Sequence, residues 1–481
     1  MPAPIPDPAD VTAFTDLAAV LGTGDPNDVV KAFAANQAFR AAEWEELTTE
    51  DDPYRRPVRP DDLEWLDYDK PLPAEKALKL SALLGHRMLR NVYDADRHFL
   101  PAVSSEASRN DAADFYSTRN RVLGALARPV LERHLFAPLA ELATPTGTGV
   151  DAARAEVLAE YERRSAEPGA AFEAARATKH RAESANFVLL QIAAYRPAAA
   201  GAWGGLALGE YDEAHPGLRR IAVERYRRWV EQAPAWRSLL ATADLRPGAA
   251  AYWQLWLGSS LGRGNHLQHL SRAPEHQVAA LGALVHELLD QAVTDAPLSA
   301  VLAEGLGADL APGADPFAVA DVDGAALGRL VEEILTPLQA AFGDVVVDDF
   351  RAGFAQARWF AGLWDRDLAD QVSWADRIEE YQEKAEKIDQ HLSNENIEVD
   401  LDTFVESNEE TSTTHVHNEH RLVMIERGQM HFWNNTTHKI ELNEGDKLLI
   451  PVSRLHGSTV LSGECTYHQP IIPDEMLAQF L

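Results

Sequence analysis

The sequence predicts a multidomain α and β chain, with an all-α N-terminal region followed by a small C-terminal antiparallel β-barrel. Three observations carry that reading. Up to roughly residue 385, apolar residues recur at three- and four-residue steps, the spacing of one helix face. After residue 397 they alternate, the spacing of a half-buried strand. Between the two the composition breaks: from Ile388 onward there is one alanine, Ala478, and seven asparagines, as many as in everything before. Such a break marks a domain boundary better than any single proline or glycine. The division expected is an N-terminal helical portion at 1–140, a helical bundle at 141–385 and a barrel at 386–481.

Helical periodicity is clearest in 77–91, 153–163, 218–231, 277–293 and 325–342, with proline and glycine clusters at 145–149 and 305–316 between them. Val345-Val346-Val347 is the short strand-like run in this part. Residues 374–391 read as a charged linking helix, and Ser393-Asn394-Glu395-Asn396 as the turn after it. Strands are expected at 398–404, 415–425, 430–433, 439–442, 447–450, 457–461 and 465–469, enough for a small barrel or jelly roll.

Bulk properties narrow the function. A chain of 481 residues has length for two or three domains with sizeable cores. Its net charge of −31 repels nucleic acid and anionic membranes. The single cysteine, Cys465, excludes a disulfide framework and fits a reducing cytoplasm. The opening Met1-Pro2-Ala3-Pro4-Ile5-Pro6-Asp7 lacks the basic start and apolar stretch of a secretion signal, and no run of eighteen apolar residues is present. A soluble, acidic, cytoplasmic protein is expected.

The chemical signal lies near the C-terminus: His415-Val416-His417, then Gly445-Asp446 and Pro451, then His456. Alternate side chains of a strand share a face, so His415 and His417 would point the same way, about 7 Å apart. Two imidazoles so placed can take adjacent sites on one metal ion. A third from a neighbouring strand leaves the opposite positions open.

Residues 411–470 resemble the cupins, in whose motifs an HxH is followed by a later Gly, then Gly-Asp, Pro and a late His. His415, His417, Gly428, Gly445, Asp446, Pro451 and His456 supply that order. Where the family often keeps a glutamate ligand, this chain has Arg421, whose guanidinium cannot ligate a metal. The site then reads as three neutral histidines. Parity places Arg421 and Glu419 on their face: Arg421 to pair bidentately with a substrate carboxylate, Glu419 as a fourth ligand or a base. His420 is expected outward. Tyr467 and Gln469, inward by alternation, are candidates to orient a reacting nitrogen. Imidazoles suit Fe, Ni, Cu or Zn alike; Fe(II), one per cupin domain, is what the resemblance implies.

Long acidic helices ahead of a three-histidine cupin are similar to the two-domain heme-oxygenase-like/cupin metalloenzymes that build N-nitrosoureas. That resemblance implies a heme-oxygenase-like helical bundle, a homodimer formed through the N-terminal helices, and an oxygenase of antibiotic biosynthesis. It also implies O2 and an amino-acid-derived, N-hydroxylated guanidine as reactants, with oxidative rearrangement to an N–N bond (N-nitrosation) at the cupin iron. The family's helical domain holds a di-iron N-hydroxylase site. Here Glu210 fits that pattern, but Arg220 stands where a histidine is expected. The later cluster falls on Val319, Asp323 and Ala326 in one alignment and on His286, Asp290 and Val293 in another, with His180 and Glu183 as further candidates. The di-iron site is therefore expected to be degraded or absent and the helical domain a scaffold. A bifunctional enzyme with a working di-iron hydroxylase, and a non-catalytic cupin scaffold or small-molecule-binding protein, stand as alternatives.

Other features read as structural. His266, His269 and His276 could share a face, but such histidines more often decorate a helix. The run Arg219, Arg220, Arg225, Arg227, Arg228 is explained by an exposed helix with Glu224 and Glu231, and Trp253, Trp256 and Trp359 by core packing. No P-loop, dinucleotide-binding glycine pattern, HExxH or nucleophile elbow is present.

Overall fold

The structure, a computed structural model, describes residues 22, 24–39, 54–97, 106–142, 148–167, 169–246, 252–307, 322–407, 413–434 and 439–480. Its first part is helical: α1 (Pro26–Ala34), α2 (Leu80–Asp94), α3 (Glu106–Phe115), α4 (Thr118–Leu135), α5 (Gly149–Ala166), α6 (Ala170–Ala177), α7 (Arg181–Ala207), α8 (Leu218–Thr242), α9 (Gly258–Arg272), α10 (Gln277–Leu306), α11 (Gly324–Phe342), α12 (Val345–Asp376) and α13 (Ile378–Asn394). Among the described residues no helix is long and apolar enough to cross a membrane.

Local chemistry explains these elements. In α11, Leu327, Leu330, Val331, Ile334, Leu335 and Leu338 are buried at three- and four-residue steps, one apolar stripe. Burying each such side chain contributes about 1.5–3 kcal/mol. The Asp323 carboxylate accepts from Ala326 N at 2.7 Å and caps that helix. At the crossing of α10 with α12, Gly282 permits backbone contact, because a Cβ there would lie 1.8 Å from the Phe350 carbonyl oxygen.

Two expectations are revised. Helices α8 and α10 extend beyond the periodic segments 218–231 and 277–293, running through Pro234 and Pro297. A mid-helix proline costs about 3 kcal/mol, but Leu239 and Leu240 beyond the first, and Leu298, Val301 and Leu302 beyond the second, are buried and outweigh it. Val345-Val346-Val347 is the first turn of α12: Val346, Val347, Phe350 and Phe354 are all buried, a helical spacing that three valines alone do not reveal.

The second part consists of β1 (Thr403–Ser407), β2 (His420–Arg427), β3 (Gln429–Trp433), β4 (Lys439–Asn443), β5 (Lys447–Ile450), β6 (Gly457–Val460), β7 (Glu464–His468) and β8 (Ile471–Ile472), then α14 (Asp474–Leu477). One antiparallel sheet has the order β1-β7-β2-β5, with β8 also on β2; the other is β4-β3-β6. Both contribute to one core, with Val423, Ile425, Leu448, Ile450 and Tyr467 meeting Met430, Phe432, Leu442 and Val460. The alternate residues Leu422 and Leu449 face Ala385, Ile388 and Leu392 of α13, which covers the outside. Gly428 links the sheets at φ +94°; a Cβ there would meet the Glu464 carbonyl oxygen at 2.4 Å. The expected strand at 398–404 forms later, at Thr403–Ser407, and 415–425 is regular only from His420.

The helical and β parts share a core. Val416, Trp433 and Leu455 pack in one cluster with Leu83, Trp253, Trp256, Trp364, Leu368 and Val372.

Candidate metal centre

Each histidine of the C-terminal motif reaches the centre by its own local device. His415 N donates to His456 O at 3.0 Å and His456 N to His415 O at 3.1 Å, an isolated antiparallel pair that sets the two rings side by side. Their centroids are 4.5 Å apart; the His417 ring completes the triangle at 4.8 Å from His415 and 4.9 Å from His456. One ligating nitrogen from each of the three lies within 4.8 Å of the others.

Hydrogen bonds fix which nitrogen faces inward. Nδ1 of His415 is 2.9 Å from Thr413 O, and Nδ1 of His456 is 2.9 Å from Arg454 O. A carbonyl only accepts, so both Nδ1 atoms carry the proton and both Nε2 lone pairs are free. Nε2 of His417 and of His456 are buried and meet no hydrogen-bond partner, a state that costs about 1–3 kcal/mol per group. Burial, aided by the neighbouring rings, holds His417 and His456 well below the ordinary histidine range. Burial also lowers His415, with the charges of Arg87, Arg59 and Arg421 adding to it. Neutral imidazoles are the form a metal requires. Three neutral rings brought together, two of them with buried and unpartnered Nε2 atoms, are a donor set that suits a metal ion. Phe432 stacks on His456 at 5.3 Å and Trp374 meets it edge-on at 6.4 Å, giving the site an apolar wall.

The other expected site residues are distributed around this cluster. Arg421, half-buried on β2 with the parity of Val423 and Ile425, donates through Nη1 to Asp402 at 2.7 Å and to Gln469 O at 2.8 Å. Its buried Nε has no partner. Tyr467 is buried in the β core, stacks on Phe404 at 5.3 Å, and donates from Oη to Glu406 at 2.9 Å. Gln469 follows β7, its N–H directed to Leu401 O and Asp402 O. Glu419 is exposed on a bend between His417 and β2, where strand parity does not hold. His420 is half-buried, its Nδ1 accepting from Val452 N at 3.2 Å.

The helical candidates for a second centre are engaged elsewhere. Glu210 is exposed and pairs with Arg219; Arg220 pairs with Glu333; Asp323 is a helix cap; Val319 lies outside the described residues. His286 and Asp290 are buried in α10, but Arg263 takes Glu287 at 2.8 and 2.7 Å and Asp290 at 2.6 Å, and Arg164 takes Asp290 at 2.6 Å. Burial pushes the Asp290 carboxyl up, yet the two guanidiniums outweigh it and hold it low; for Glu287 burial prevails and raises it. These carboxylates are committed to arginines and do not fit a di-iron pair. Among the described residues, the three C-terminal histidines are the one group of three or more His, Cys, Asp or Glu able to hold a metal. His266 bonds Gln356 at 3.0 Å, His269 lies 3.2 Å from Glu132, and Arg227 and Arg228 pair with Glu231 and Glu224.

Sequence reasoning missed the residues that hold the loops around the histidines: Arg87, Gln254, Asp367 and Gln371, all buried. The only signal was polar residues on otherwise apolar helix faces, which does not name a partner.

Fold and site together define a class: a helical protein whose C-terminal antiparallel sheets carry a three-histidine centre suited to a metal ion. No family model matches the chain. It is 27% identical over 466 residues to the nitrosourea synthase of Streptomyces achromogenes subsp. streptozoticus, across 93% of this chain and 95% of that one. The likeness to N-nitrosourea-building enzymes therefore spans the helical region as well as the β region.

Proposed function

We propose that this chain is a mononuclear non-heme iron enzyme of cupin type, which carries out an oxidative rearrangement forming an N–N bond (N-nitrosation) on an N-hydroxylated guanidine-type amino acid in specialised metabolism. The observation that carries the reading is the convergence of His415, His417 and His456 on neutral, inward-facing nitrogens. The likeness to a nitrosourea synthase over nearly the whole chain supports the reaction class.

In this reading the three histidines would hold Fe(II), which would supply the redox chemistry with O2. The chain's own residues bind and orient. Arg421, tied to Asp402 through Nη1, keeps its Nε–H free for a substrate carboxylate. The Tyr467 hydroxyl, held by Glu406, and Gln469 orient the reacting nitrogen. Phe432 and Trp374 exclude water behind His456. Glu419, on its exposed bend, takes no part. The helical region is a scaffold with no iron pair of its own. The division at 1–140, 141–385 and 386–481, the homodimer and the cytoplasmic setting belong to the same proposal.

The test is turnover of an N-hydroxylated guanidino amino acid by iron-loaded protein, with O2 uptake and product mass recorded together. An N-nitroso product with O2 consumed supports the reading. An iron-loaded protein that neither consumes O2 nor changes the substrate contradicts it.

A further inference from the structure

Segment 413–419 carries two of the three histidines, yet it lies outside the strands; its backbone is bonded to the equally irregular segment 453–456, through the His415–His456 pair and through Ser453 N, which donates to His417 O at 3.0 Å. The residues flanking the histidines are instead fastened to the helical region. Beside His415, the buried Thr414 receives Arg87 Nη1 on its carbonyl at 2.7 Å and Arg87 Nη2 on its hydroxyl at 2.8 Å, while its N–H donates to Gln254 Oε1 at 2.9 Å. Beside His456, Leu455 is bonded on both sides of its backbone by Gln371 of α12: Leu455 N donates to Oε1 at 2.9 Å and Nε2 donates to Leu455 O at 2.8 Å. The next residue back, Arg454, whose carbonyl fixes the His456 tautomer, donates to Asp367 O at 3.2 Å, and Asp367 is held in turn by Ser259 at 2.7 Å. Beside His417, Asn418 accepts from Lys79 Nζ at 2.7 Å, and its Oδ1 accepts from Leu80 N at 3.1 Å, capping α2 from outside.

We infer that Arg87 and Gln371 are positioning residues of the metal centre, so that the helical region sets the relative placement of the three histidines. This rests on the three-histidine metal reading above. Gln371 and Arg87 are 1% and 2% exposed, and each bonds backbone adjoining a histidine; Gln371 Nε2 also donates to Asn434 O at 3.2 Å, and Arg87 Nη2 to Gln254 O at 3.3 Å. Hydrogen-bond partners outside the ligand set orient the ligands, and their loss typically weakens metal affinity about ten- to a hundredfold.

The experiment uses the full metal-free chain titrated with Co(II), read by affinity and by the visible absorption of the bound ion. Wild type is expected to take one Co(II). Gln371→Leu, similar in size but unable to bond Leu455, is expected to bind it about tenfold or more weaker, with a shifted spectrum. Arg87→Lys, which keeps one charged donor toward Thr414, is expected to show a smaller change in the same direction, and it carries the test if Gln371→Leu does not fold. Gln356→Leu, in the helical region but bonded to His266, serves as control and is expected to match wild type. Foldable Gln371 and Arg87 variants with wild-type affinity and spectrum overturn the inference while leaving the metal reading intact. A wild-type chain that binds no Co(II) removes both.

Discussion

At the scale of single residues, charge and burial decide the expectations. On the proposed reading Arg421 offers its unpartnered Nε–H to a substrate carboxylate, and a charge-assisted hydrogen bond contributes about 1.5–3 kcal/mol. Arg421→Gln is therefore expected to raise KM about tenfold or more with a smaller change in kcat, and to make no difference to a decarboxylated analogue; steady-state kinetics on both compounds checks it. Arg263 pairs with both buried Glu287 and buried Asp290, the latter held by Arg164 as well. Its removal in Arg263→Ala leaves them undercompensated and is expected to cost about 3–5 kcal/mol, measurable by urea unfolding. Burial also pushes His86, His266 and His286 down to about 3. Unfolded, each ring takes its proton near pH 6.5, so below that value the unfolded chain binds more protons than the folded one. Stability is then full above about pH 6.5 and falls as pH drops toward 3, by up to about 1.4 kcal/mol per pH unit for each ring. Urea midpoints at pH 7.5 and 5.5 test this; a midpoint that holds or rises at 5.5 contradicts it.

At the scale of elements, the strands were the most legible part of the chain. The segments 430–433 and 439–442 correspond closely to β3 and β4, along which burial alternates for most of the strand; 447–450 corresponds to β5, whose Leu448, Leu449 and Ile450 are all buried because α13 covers the outer face. The same rule carried too far at 415–419: the bend at Asn418 and Glu419 breaks the parity, so Arg421 points inward by the register of β2 while Glu419 is left in solvent. The continuation of α8 and α10 through Pro234 and Pro297 shows burial of later turns overriding a local breaker. The histidine motif was readable because its members are close in sequence. The Arg87–Thr414 contact was not, since it joins residues 327 positions apart. Gly428 illustrates a different local demand. Its positive φ and the nearby Glu464 carbonyl leave no room for a side chain, so Gly428→Ala is expected to destabilise the β part by about 1–3 kcal/mol or more, seen as a lower thermal midpoint.

At the scale of the whole molecule, the helical and β parts share one apolar cluster and the hydrogen bonds that flank the histidines. Metal binding to the folded chain adds RT ln(1 + [L]/Kd), about 2.7 kcal/mol at a hundredfold excess over Kd. Because the two parts are interlocked, bound Co(II) is expected to raise the midpoint of the helical circular-dichroism transition as well as that of the β part; a shift confined to the β part would contradict the interlock. The central claim is a single metal, held by His415, His417 and His456, in an otherwise metal-free scaffold. It is tested most directly by iron content per chain after anaerobic loading, on the wild type and on the His415→Ala, His456→Ala double variant. One iron, lost in the variant, is the expected result. Two or three irons with all but one surviving in the variant, or none in the wild type, would contradict it.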